Sequence, residues 1–160
     1  MTDAALLAQL TLLPADRLYA PEQDMWVRLE DDGAATIGTT HLVVAHGQFM
    51  FFAPRPAETL VARDRSLGVM ETAKSAVAIH APLSCRILLA NAAVERDAEL
   101  MVRDPYGAGW LFRIAPTALE TERAGLLDAA AYRAWLAPRL ARFESTPVDF
   151  DSPGSGFGGY

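Results

Sequence analysis

Between Trp26 and Ile114 the sequence is a succession of strand-like runs five or six residues long, each closed by turn chemistry. This punctuation limits what the chain can build. Residues 26–30 (WVRLE) alternate, and residues 35–39 (ATIGT) return across Asp31-Asp32-Gly33, which predicts a hairpin. Residues 48–53 (QFMFFA) form a strand rich in phenylalanine, and Pro54, Pro56 and Glu58 mark a loop after it. Residues 66–71 (SLGVME) and 77–81 (VAIHA) bracket Thr72-Ala73-Lys74-Ser75-Ala76, small residues around one long one, as expected at an exposed hairpin tip. Residues 86–90 (RILLA) and 110–114 (WLFRI) read as the last strands, with turns at Asn91 and at Asp104-Pro105-Tyr106-Gly107. Phe51, Val69, Ile79, Leu88 and Leu111 are the expected core, joined by Trp110 and Trp135.

The ends follow other patterns. Residues 3–13 (DAALLAQLTLL) read as a helix stopped by Pro14, and residues 41–46 as a single helical turn. From Leu126 the period becomes helical: Leu127, Ala131, Trp135 and Leu136 recur on one face, with Asp128 early and Arg139 and Arg142 late, as the helix dipole favours. Residues 152–160 (SPGSGFGGY) have the composition of a disordered tail.

Charge and composition remove several classes of function. The formal net charge of −6 repels a phosphate backbone, so nucleic acid is not an expected partner. No apolar run reaches the roughly 20 residues a membrane-spanning helix needs, and no secretory signal is visible, so a cytoplasmic location is expected. The single cysteine, Cys85, fits a reducing compartment and is expected to be a buried, inert thiol. His41, His46 and His80 lack metal-ligand spacing. No nucleophile elbow, phosphate loop or paired-histidine zinc motif is present, so catalytic activity is not expected.

One compositional fact points the other way. Of the 14 basic residues, 13 are arginine, and Lys74 is the only lysine. A genome that favours arginine codons explains the bias but not the survivor. Arginine supplies charge and salt bridges; it does not supply a compact primary amine that can be acylated. Lys74 is therefore the candidate for covalent chemistry.

The segment 68–82 (GVMETAKSAVAIHAP) resembles the lipoyl-lysine hairpin of the glycine cleavage system H protein family, with Glu71, Lys74, Ala81 and Pro82 at matching positions. The resemblance extends upstream through Trp26-Val27-Arg28 and residues 35–39. Downstream it runs through Asn91, Glu99-Leu100, Asp104 to Gly107 and Gly109 to Leu111, and into residues 126–132. It implies a mainly β fold, a barrel-sandwich hybrid of two small antiparallel sheets with terminal helices. It also implies lipoate bound covalently as an amide on Lys74, a lipoate-attaching enzyme as partner, and partner enzymes served by the loaded arm. Glu71 then serves recognition of the hairpin by the attaching enzyme, or is simply a solvated acid. The implied domains are residues 1–17 as an N-terminal helical extension, 18–143 as the lipoyl domain and 144–160 as a tail.

The sequence also departs from the family pattern. Asp24-Met25 stands where the family has His-Glu, the Tyr19-to-Trp26 spacing is one residue longer, and Pro54 comes one residue early. Arg55, Arg63 and Arg65 occupy a segment that tends to be acidic in the family. The run Phe52-Ala53-Pro54-Arg55 is similar to that of H-like lipoate-binding proteins of heterodisulfide-reductase-like sulfur oxidation, which would carry sulfur intermediates. Both pathways stay open at this point, as does a non-lipoylated binding module. Biotin carriage is disfavoured because Ala73 and Ser75, not methionines, flank the lysine.

Overall fold

The computed structural model describes residues 12–41, 43 and 47–145. Of the helix expected over residues 3–13, residues 3–11 lie outside the described residues and residues 12–13 are not helical; the tail after residue 145 and most of the turn expected over 41–46 also lie outside them.

Among the described residues, nine strands form two antiparallel sheets. The larger contains β1 (Leu18–Ala20), β2 (Met25–Leu29), β3 (Ala35–Thr39), β5 (Leu60–Val61), β8 (Cys85–Ala90) and β9 (Phe112–Pro116), in the order β1-β2-β3-β9-β8-β5. The smaller contains β4 (Phe49–Pro54), β6 (Ser66–Thr72) and β7 (Ala76–His80), in the order β4-β6-β7. The expected β2–β3 hairpin is present: Gly33 takes φ +86°, and Asp32 Oδ1 accepts the Ala34 N–H at 3.0 Å. Short helices α1 (Ala92–Arg96) and α2 (Leu100–Arg103) follow β8. Helix α3 (Leu119–Glu122) and the 3-10 turn Arg123–Gly125 lead to the long α4 (Ala129–Ser145).

The main core lies between the sheets and contains Val27, Ile37, Phe52, Leu67, Met70, Ile79, Ile87, Leu111, Phe112 and Ile114. Ile79 and Leu111 are buried as expected, and three expectations need correction. Phe51 is 58% exposed, and its neighbour Phe52 is buried instead. A register shift between Phe49 and Phe51 inserts one residue and turns Phe51 outward. Leu88 is only partly buried, for the same reason: a shift between Ile87 and Leu89 leaves Ile87 inside. Val69 is half-buried on the outward face of the central strand β6.

A second cluster ties α4 to the sheet. Asp128 caps the helix, its Oδ1 accepting the Ala131 N–H at 2.8 Å. The helix starts at Ala129, so the expected face needs correction: Leu127 lies outside it in a bridge to Tyr19, Ala131 is exposed, and Tyr132 and Leu136 are the residues it buries. Tyr132 stacks on Tyr19 with ring centroids 4.9 Å apart. Trp110 and Trp135 pack against this cluster while remaining partly exposed, so they line the core rather than fill it. Trp26 is fully buried and its Nε1 donates to the Pro105 carbonyl at 2.9 Å, which fixes the Asp104–Gly107 turn as an architectural element. Asn91 does more than turn the chain. Its Oδ1 caps α1 at the Ala93 N–H (3.0 Å), and its Nδ2 donates to the Ala108 and Trp110 carbonyls at 2.8 and 2.7 Å.

Candidate functional site

The β6–β7 hairpin carries the site. Its base is fixed by inward-facing residues. Phe52, Met70 and Val77 stand opposite one another on β4, β6 and β7, and all three face the core. Gly68 permits the hairpin to lie this close to β4. It takes φ +151°, and a Cβ there would sit 2.5 Å from the Ala53 carbonyl oxygen.

The tip is built differently from a tight primed turn. Positive φ at both central residues would match the strand twist, but neither Ala73 nor Lys74 is among the described residues with φ above zero. Thr72 supplies the closure. Its N–H donates to the Ser75 carbonyl at 2.9 Å. Its Oγ1 accepts the Lys74 N–H at 3.3 Å and the Ser75 N–H at 3.1 Å, and lies 3.1 Å from Ser75 Oγ. The hydroxyl thus gathers the inward-pointing amides of the turn, as Ser and Thr do in side-chain-closed turns. Nothing in the sequence reading singled out Thr72; a threonine two residues before a lone lysine is the signal that could have done so.

Lys74 stands at the end of this turn with its side chain exposed, and no described residue forms an ion pair with it. Its neighbours Ala73, Ser75 and Ala76 are small and exposed, so the amine is open to a large reagent from several directions. Glu71 is exposed on β6, paired on both sides, between Phe51 of β4 and Ala76 of β7. The structure thus brings Glu71 and Lys74 to one end of the smaller sheet.

The other candidates stay structural. Cys85 is buried, and burial, with Glu122 adding to it, pushes its thiol up to about 11, so it is a poor nucleophile at neutral pH. Burial lowers the pKa of His41, whose ring meets that of Tyr106 edge-on at 5.0 Å. His80 Nδ1 lies 2.9 Å from the Asp64 carbonyl. His46 is outside the described residues, among which no group of three or more His, Cys, Asp or Glu could hold a metal ion. No helix among them is long and apolar enough to cross a membrane.

Two short antiparallel sheets folded on each other, with a lysine-tipped hairpin projecting from the smaller one, define a barrel-sandwich domain of the lipoyl/biotinyl type. Comparison with known proteins narrows the class. A family model described as "Glycine cleavage H-protein" matches residues 17–139. The glycine cleavage system H protein of Halorhodospira halophila is 39% identical over 126 residues, covering 78% of this chain and 95% of that protein. That of Chromobacterium violaceum is 37% identical over 121 residues, covering 75% and 93%. A crystal structure of a glycine cleavage system H protein from Mycobacterium marinum superposes with a TM-score of 0.67 at 30% identity, covering 77% of this chain and 98% of that one. The chain belongs to the glycine cleavage H-protein family. The comparisons lend no support to the sulfur-oxidation alternative.

Proposed function

We propose that this protein is the lipoyl carrier of a glycine cleavage system, with lipoate held as an amide on Lys74 within a carrier domain spanning residues 18–143. The observation that carries the reading is the position of the only lysine: exposed, without an ion pair among the described residues, and set at a turn that Thr72 holds shut.

The residues present suit the group. Attachment joins Nζ to the carboxyl carbon of an activated lipoyl donor. The neutral amine attacks, the C–N bond forms as the bond to the activating group breaks, and the nitrogen sheds its remaining extra proton. This converts a cation into a neutral amide. No side chain has to give up a salt bridge for it. Ala73 and Ser75 leave room for the attaching enzyme, and the rigid inward row beneath the tip keeps the anchor in place while the arm moves. When bound, the dithiolane supplies a disulfide that a substrate fragment can open reductively and thiol–disulfide exchange can restore. Tethering keeps that disulfide at high effective concentration near whichever partner enzyme is docked.

The chain's own role in this reading is to carry rather than to catalyse; its partners are the attaching enzyme and the other enzymes of the cleavage system. The free, buried Cys85 suits a cytoplasmic setting. The test is intact mass and peptide mapping after co-expression with a lipoate ligase. The expected result is one lipoyl group, on Lys74, absent from Lys74→Arg. An unmodified parent chain under conditions that lipoylate a control domain would refute the reading.

A further inference from the structure

The outermost strand of an open sheet presents unpaired backbone donors and acceptors, and folded chains blunt such edges. Three of the four sheet edges among the described residues are blunted. β1 is closed by Leu127, whose N–H and carbonyl each bond Tyr19 at 2.8 Å. β5 is only two residues long. β4 is interrupted by the register shift between Phe49 and Phe51 and ends in Pro54. β7 has none of these devices. Its five residues (AVAIH) include no proline, lysine or acid, and among the described residues they pair only with β6. The one irregularity of that ladder inserts a residue in β6, not in β7.

The ladder also fixes which backbone groups stay open. At the tip the Thr72 N–H donates to the Ser75 carbonyl at 2.9 Å, and at the far end the Ala81 N–H donates to the Arg65 carbonyl at 2.8 Å. Antiparallel pairs alternate, so Val77, Ile79 and Ala81 turn their N–H and C=O groups toward β6, while Ala76, Ala78 and His80 turn theirs away. Among the described residues, nothing outside the strand bonds the backbone of those three.

We propose that β7 is the self-association edge of this protein. Two copies pair their β7 strands antiparallel about a twofold axis at Ala78, which joins the smaller sheets into one of six strands. The inference goes beyond the carrier reading and does not depend on it.

Self-complementarity selects a second copy as the occupant. With Ala78 opposite Ala78 and Ala76 opposite His80, every open N–H meets an open C=O of the other chain, as a closed twofold contact requires. The side chains agree with this register. Ala76 and Ala78 are small, and Val77, only partly buried in one chain, faces Ile79 of the second copy on the core side. No like charges stand opposite each other. The exposed Asp64 carboxylate, 4.0 Å from His80 Nδ1, comes to the Lys74 end of the second copy, which is favourable. The edge is about 17 Å long, well short of what buries the roughly 800 Å² per partner of a stable dimer, so the dimer is weak and reversible. The two Lys74 tips stand about 27 Å apart at opposite ends of the shared sheet, and both stay open.

The experiment is sedimentation equilibrium of the purified full chain from about 10 μM to about 1 mM, with amide hydrogen exchange by NMR at both limits. The parent should dimerise with a dissociation constant between about 0.05 and 1 mM. At the high concentration the Ala76, Ala78 and His80 amides should exchange slower by about twofold or more, and those of Val77 and Ile79, already bonded to β6, should not change. Ala78→Pro removes the central outward donor without touching the β6 ladder, and Ala78→Glu sets two carboxylates face to face across the axis. Each should raise the dissociation constant by about tenfold or more with a parental circular dichroism spectrum. If Ala78→Pro does not fold, Ala78→Glu decides. A parent that stays monomeric at the high concentration overturns the proposal. So does a dimer that the folded variants leave intact, or one whose protection falls outside β7. Slow exchange of the three amides already at the low concentration overturns it too, because the chain then covers this edge itself. Lipoylation of Lys74, read by mass on the same samples, tests the carrier reading separately, so either idea can fail while the other stands.

Discussion

Replacing Asp24 by asparagine should stabilise the protein at neutral pH and leave it unchanged in acid. Asp24 closes the turn between β1 and β2 with φ +54°, and its carbonyl accepts the Thr40 N–H at 3.1 Å. Its carboxyl is largely withdrawn from water, and that burial alone pushes its pKa from 3.8 up to about 6. The sign follows from which state holds the proton more tightly. Between pH 3.8 and 6 the folded state does, so folding is most favoured with Asp24 protonated. That stability is lost as pH rises through the window and does not return above it. A shift of about two pKa units corresponds to roughly 3 kcal/mol at 1.36 kcal/mol per unit. Part of the side chain still reaches water, so about 1–2 kcal/mol is the expected cost of the ionised form at pH 7. Asparagine keeps the shape and enters the left-handed region readily, so Asp24→Asn removes the charge without straining the turn. Urea unfolding followed by fluorescence of the buried Trp26 measures the effect. With a slope of roughly 1–3 kcal/mol per molar, the midpoint should move up by about 0.5–1 M at pH 7.5 and not at all near pH 4. Taking the difference between parent and variant at each pH cancels every other titrating group. A difference that is flat from pH 4 to 7.5, or a less stable variant at pH 7.5, would show that the fold does not hold this carboxylate at a cost.

Two further substitutions test the hairpin. Thr72→Val removes the oxygen that gathers the Lys74 and Ser75 amides. It should speed hydrogen exchange at those two amides and slow enzymatic lipoylation, with a loss of global stability under about 1 kcal/mol; Thr72→Ser should behave as the parent. Unchanged exchange at Lys74 and Ser75 would remove Thr72 from the account of the tip. Gly68→Ala places a methyl 2.5 Å from the Ala53 carbonyl at φ +151°. It should lower unfolding free energy by about 2–4 kcal/mol through strain and crowding together, and a loss under about 0.5 kcal/mol in urea titration would count against the close β4–β6 approach.

Much of this fold was legible because its signals are local. The β2–β3 hairpin follows from alternation around Asp31-Asp32-Gly33. The β6–β7 hairpin follows from two strand-like runs around a cluster of small residues, and each begins and ends within a residue or so of its expected place. The errors have a common origin. A strand pattern of period two assigns faces correctly only until the first inserted residue, and the irregularities at Phe49/Phe51 and Ile87/Leu89 leave no mark in the sequence. A strict period of two therefore puts Phe51 and Leu88 inward, where the structure places Phe52 and Ile87. Strands β1 and β5, with three and two residues, are too short to show any period, and both exist only through pairing with longer neighbours. Helices α1 and α2 were hidden for a similar reason: Asn91 reads as a turn residue until its side chain is seen capping a helix.

The irregularity that turns Phe51 outward bears on what the hairpin can do. Had β4 run without its bulge, Met50 would stand opposite Glu71 and Phe51 would face the core. The inserted residue turns an aromatic side chain outward opposite Glu71, three residues before the lysine. Beneath it, Phe52, Met70 and Val77 still meet in register across the three strands. The hairpin thus keeps a packed base and an accessible end at once. A carrier requires both: a base stiff enough to present one lysine at a fixed place, and a flank that another protein can grip without displacing anything from the core.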